Sequence, residues 1–376
     1  MKRSALAFVV LLLSKARAAV YYVESAPVAP YSCTAAQPCR VSDLNGPFTT
    51  ADQIVFLPAT TGTSSEYTFG FLNLLNPSVS LSAGTTFTGC RLILRYPSSV
   101  TCSSATLQTH SGITVLGNGA NTVSSTGCNF DKSELLVVNS NVVGFTGGSV
   151  TAQTGKRIDI AGKDITVSGV NFHDATTTKP ALALKTGSAD STFTLSNVQF
   201  TSWTTQNGQP LVKVTSVNGK KFVSTANDCT LDTCTIDGAA LRFEVLSNGS
   251  PSTAVSEAHI AGLTLNSGSV KRGIVDAKND DSEDKLAVHM STLSALGTDF
   301  NSGNAFTLEA ASTGITELQA NTESSNSICA PSDLTNLIEC IGAPAKVTVF
   351  FAGSVEGSPN ESQGCNQPHI DIANTC

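Results

Sequence analysis

Only a few side chains in this 376-residue sequence have types and spacings that could do chemistry. Asp228, Asp232 and Asp237 crowd around Cys229 and Cys234. A four-residue interval puts Asp228 and Asp232 on one face of an extended strand, and the odd interval to Asp237 does not. Two such carboxylates could form a catalytic pair or, with backbone carbonyls, hold calcium. Turn-forming aspartates beside a disulfide are the plainer reading. His173-Asp174 could set an imidazole against a carboxylate, as a general base requires. Adjacent strand residues point to opposite faces, so that pair needs a turn there. Asp280-Asp281, inside the charge run from Lys278 to Lys285, is a metal-ligand candidate and reads more simply as a solvated loop. Trp203, the single Trp, could stack on a sugar, although core or corner packing suits it better. Asn248 and Asn360 open glycosylation sequons, the first weakened by Pro251. His110, His259, His289 and His369 are dispersed along the chain. No Gly-x-Ser-x-Gly elbow, His-Glu-x-x-His or phosphate loop occurs. No cofactor is expected, with calcium the one ion these carboxylates leave open.

The compartment follows from the first residues and the cysteines. Lys2 and Arg3, then the apolar run Ala5 to Leu13, then Ala16-Arg17-Ala18 read as a signal peptide over residues 1–18. Nine apolar residues are too few for a membrane span, which needs about 20. Its removal takes away Lys2, Arg3, Lys15 and Arg17, so 22 − 4 = 18 basic groups face 29 acidic ones, a formal charge of −11. Such a chain is a poor partner for nucleic acid or anionic membrane. Neither a later span nor an apolar C-terminal tail is present, so a secreted or surface-held product is expected. The eleven cysteines fall as neighbours, which suggests Cys33/Cys39, Cys90/Cys102, Cys229/Cys234, Cys329/Cys340 and Cys365/Cys376 as disulfides. Cys128 is left as a buried thiol, a partner of Cys90 or Cys102, or an intermolecular link.

The elements that must hold these residues are short, alternating and strand-like. Val170-Asn171-Phe172 and Val198-Gln199-Phe200 close two such runs 28 residues apart. Aromatic or aliphatic anchors then follow as Phe145, Phe172, Phe200, Ile236, Leu265 and Phe300, with gaps of 27, 28, 36, 29 and 35. A recurrence of this length with variable turns predicts a β-solenoid, about ten coils and roughly 50 Å long. Asn-Gly pairs at 118, 207, 218 and 248 keep an antiparallel β-sandwich open as the alternative.

Residues 19–58 carry a resemblance. Tyr21-Tyr22-Val23, the Cys33 to Cys39 loop and Ile54-Val55-Phe56-Leu57-Pro58 resemble the N-terminal coil of right-handed parallel β-helix proteins of the pectin-lyase-like superfamily. The helical cap usual between those strands is missing. The resemblance implies a single-stranded, all-β helix over 59–346, an N-terminal cap over 19–58, and a C-terminal cap and cysteine-closed tail over 347–376. It also implies polysaccharide handling along a groove. The Asn-Thr-Asp, the Asp-Asp followed by a Gly-His-Gly, and the Arg-Ile-Lys of its hydrolases are not found. The leading expectation is therefore a secreted, non-enzymatic surface, wall or matrix component or adhesin, meeting polysaccharide or other surface proteins. A diverged polysaccharide lyase or glycoside hydrolase is the second, and a glycan-binding module the third.

Overall fold

The computed structural model describes residues 18–25, 27, 32–44, 47–58, 66–151, 158–217, 219–246, 255–280, 284–310, 315–320, 326–342, 347–357, 359–365 and 368–373. Asn248, Asp281 and Cys376 lie outside them.

Apart from a 3-10 turn at Val41–Asp43, the regular elements among the described residues are strands. All their pairings are parallel, which removes the antiparallel sandwich. Three ladders form, and the chain visits them in turn. The first begins with Val20–Val23, Gln53–Phe56, Ser78–Leu81 and Ser99–Ser103. The second begins with Glu66–Tyr67, Thr86–Thr88, Thr106–Gln108 and Asn129–Asp131. The third begins with Phe71–Leu75, Arg91–Arg95 and Gly112–Leu116. From Gln53–Phe56 to Gly112–Leu116 each strand pairs with the strand three further along the chain, an arrangement compatible with a β-helix.

Alternation explains why these segments are strands. One face of most is apolar and buried, as in the buried-exposed pattern of Arg91–Arg95. In-register stacking turns single inward residues into columns. On the third ladder one such column runs Leu92, Ile113, Leu135, Ile158, Leu182, Val212, Leu241, Val275, Phe306 and Ile338. The second ladder stacks Phe172 on Phe200, ring centroids 4.7 Å apart, and continues through Leu231, Leu265 and Ala295. Phe172, Phe200 and Leu265 therefore share the anchor column, whereas Phe145 and Ile236 belong to others. Phe145 faces Val167 on the first ladder, and Ile236 pairs with Thr205 and Val270.

Corners turn on residues held in the left-handed region. Between the first and second ladders these are Gly127, Gly147, Gly169, Asn197 and Asp228, with φ of 64, 62, 61, 51 and 52°. The N–H groups of Gly147 and Gly169 donate to Ser168 O and Ser196 O of the next rung, at 2.7 and 2.9 Å. Glycine, asparagine and aspartate tolerate this conformation best. Asp174, Ser202, Thr233 and Ser267 line a second corner, with φ of 51 to 54°. Long strands such as Phe222–Ile236 run through both corners without a break.

The same geometry corrects the cysteine pairing. Cys33–Cys39 forms as expected, and its loop lies along the edge of Val20–Val23. Cys102, however, joins Cys128 in place of Cys90, across a separation of 26 residues. Cys340 joins Cys365 across 25 residues, which overturns both the Cys329/Cys340 and the Cys365/Cys376 pairings. Cys365 has its one bond to Cys340 and none to spare for Cys376. Cys329 is also bonded, but not to Cys340. Both of those separations equal about one circuit of the three ladders, so cysteines far apart in sequence meet on neighbouring rungs. Near neighbours instead lie apart along one strand: Cys229 follows the Asp228 corner, Cys234 follows the Thr233 corner, and neither is bonded. Cys90, Cys229 and Cys234 are free and buried. Burial pushes each thiol up, Cys229 to about 11, so none is a ready nucleophile.

Candidate functional site

Among the described residues a dense row of charge stands on the outer face of the third ladder. Register aligns Asp159, Ala183, Lys213, Arg242 and Asp276 in one row. Thr215, Glu244, Lys278 and Glu309 form the row beside it. Lys185 reaches Asp159 at 3.1 Å. Glu244 takes Lys213 on one carboxylate oxygen at 2.6 Å and Arg242 on the other at 3.2 Å. Arg242 turns its second terminal nitrogen to Asp276 at 3.5 Å, so one guanidinium lies between two carboxylates. Lys278 continues the chain to Asp280 and Glu309.

These carboxylates are buried although they project outward. Asp159, Glu244 and Asp276 are 3, 6 and 4 % exposed. Burial pushes the Asp276 carboxyl above the usual carboxylate range, against the opposing pull of Arg242 and then Arg272. A raised carboxyl next to an ionised one is the chemistry of a glycosidase acid and base. Against that use, the three buried carboxylates are all engaged by Lys or Arg, and little of their surface is left for a substrate.

The sequence candidates do not converge on this face. Asp228 is an exposed corner residue, and Asp232 stands on the second ladder between Thr201 and Asn266. Asp237 accepts from Gly208 N at 2.6 Å and from Lys271 Nζ at 3.0 Å, which holds its carboxyl below the ordinary value. Among the described residues no three His, Cys, Asp or Glu side chains are placed to hold a metal ion. Asp280 is ion-paired with Lys278. His173 and Asp174 do meet, Nδ1 to Oδ2 at 3.0 Å, because Asp174 supplies the turn that the pair required. Asp174 is largely exposed. Trp203 is a core residue, the plainer of its two readings: at 1 % exposure and edge-on to Phe172 at 5.9 Å, it offers no platform to a sugar. Asn360 is exposed, with its Nδ2 donating to Asn336 Oδ1 at 3.1 Å.

Sequence reasoning missed Lys213, Arg242, Glu244 and Asp276. The available signal was the interval between them: 213, 242 and 276 are 29 and 34 residues apart, each about one circuit. No protein-family model, curated protein or solved structure matches the chain.

Proposed function

We propose that the chain is a secreted right-handed parallel β-helix of the pectin-lyase-like kind, and that it serves as a non-enzymatic surface, wall or matrix component with adhesive contacts to polysaccharide or neighbouring surface proteins. The observation that carries this reading is the closure of the charged face by ion pairs. Buried carboxylates each held by a lysine or an arginine, and Glu244 by both, stiffen a rod better than they serve a substrate. Disulfides between neighbouring rungs suit an oxidising compartment. No helix among the described residues is long and apolar enough to cross a membrane.

The raised Asp276 carboxyl favours one second reading, a polysaccharide lyase or glycoside hydrolase working on this face. A screen of acidic and neutral polysaccharides, with and without calcium, separates the two. We expect no turnover. Turnover abolished by Asp276→Asn or Glu244→Gln in a protein that still folds would replace the scaffold with the enzyme.

A further inference from the structure

On the first ladder, register brings together side chains that the sequence scatters. His259, His289, Gln319, Phe350 and His369 occupy the same outward position on five successive rungs. The His259 and His289 rings stack at 4.9 Å and 11°, and Phe350 and His369 at 5.0 Å and 21°. Gln319 bonds to His289 and continues the column between them. Five flat groups thus repeat at about the 4.8 Å step of the strands.

A groove of about 520 Å³ runs beside this column, lined by His259, His289, Gln319, Phe350, Met290 and Ser291. Its volume falls within the range of small-molecule sites, about 300–1,000 Å³. Ser291 is the extra residue of a bulge, since Ile260 pairs with Met290 but Ala261 pairs with Thr292. Bulges of this kind commonly re-aim side chains next to binding sites.

The charged groups around it are few. Glu257 holds His259 Nε2 at 3.1 Å, and Glu317 pairs with Lys285 at 2.6 Å. Asp371 follows His369 at the far end, while the rung before His259 presents the uncharged Val223 and Thr225. Three carboxylates therefore face one ammonium while the imidazoles are neutral. Burial first, and His259 second, depress the tendency of His289 to take a proton.

We propose that this groove binds an elongated, planar aromatic cation lying along the ladder axis. Rings stacked along the axis turn their edges to the groove, and a flat ligand lying against them gains edge-to-face contact over several rungs. The same relation between stacked side-chain ladders and a flat surface exists on cross-β assemblies. The carboxylates supply the charge preference. Protonating His289 adds positive charge to the column and opposes a cation, and because burial holds that protonation below the ordinary histidine value of 6.5, binding weakens on acidification below it.

The probe is thioflavin T, a planar aromatic cation, titrated into the full chain at about pH 7.5 and again at about pH 5. We expect a saturable fluorescence rise with one site at the higher pH and a clear loss of affinity at the lower. Phe350→Ala and His289→Ala should each weaken binding about tenfold. Glu257→Gln leaves every ring in place and should weaken it about threefold. Tyr96→Ser, on an exposed residue beside the third ladder, is the control and should change nothing. A rise that does not saturate, or that survives both ring substitutions in folded protein, overturns the proposal. So does tighter binding of an anionic planar dye under the same conditions.

Discussion

Arg242 shows how a single side chain determines what the charged face can be. It stands between Glu244 and Asp276, both of them buried. Removing the cation leaves buried Asp276 without its ion pair and Glu244 with Lys213 alone, whereas removing one carboxylate leaves the guanidinium still paired. Arg242→Met is therefore expected to destabilise by about 3–5 kcal/mol, and Asp276→Asn by much less. The pH dependence has a definite sign. The folded state holds the Asp276 carboxyl above its ordinary value of 3.8, so the native protein keeps this proton longer than the unfolded chain. Its contribution to stability is present at low pH and is lost as pH rises from about 3.8 through the raised native value. Urea midpoints of wild type and Asp276→Asn should therefore diverge in favour of Asn as pH rises through that window. Curves that stay parallel would mean that burial does not govern this carboxyl.

At the scale of elements, the corners explain both what the sequence makes legible and what it hides. Strand alternation is local, so the Phe172 and Phe200 runs declare themselves, and their 28-residue interval points to stacked rungs. Which outward residues become neighbours depends instead on how much chain each corner and loop consumes. His259, His289 and Gln319 fall 30 residues apart, but Phe350 follows at 31 and His369 at 19. No fixed period connects them, and the cysteine partners are obscured for the same reason. Corner chemistry itself can be read at single positions. Asp228 resembles a ligand in sequence when judged by its carboxylate, whereas its φ of 52° makes it a turn residue. Two glycines separate backbone strain from crowding. A Cβ at Gly169 would have its nearest neighbour 4.0 Å away, so only the φ of 61° resists substitution. A Cβ at Gly148 would collide with the Cys128 carbonyl. Gly169→Ala should then cost roughly 1–2 kcal/mol and Gly148→Ala distinctly more, as read from urea unfolding. Equal losses would show that the corner gives way to relieve the clash.

For the whole molecule, stability should follow position along the ladders. Each rung contacts mainly the rungs on either side, so unfolding resembles a one-dimensional chain of neighbour interactions. The two ends differ. Val20–Val23 has Gln53–Phe56 on one edge and the Cys33–Cys39 loop on the other, where Tyr22 N–H donates to Cys33 O at 2.8 Å. Among the described residues, His369–Ala373 pairs only with Val347–Val355. The middle rungs, Asn171–Thr177 and Gln199–Thr205, pair on both edges and carry the stacked Phe172 and Phe200 with Trp203 edge-on to Phe172. Amide hydrogen exchange should therefore be slowest in those two strands, faster in Val20–Val23, and fastest in His369–Ala373. Reducing the disulfides should speed exchange at Val20–Val23 far more than at Asn171–Thr177, because the Cys33–Cys39 loop covers the former. Protection of His369–Ala373 equal to that of the middle rungs would contradict one-sided pairing and would place a covering partner on the last rung.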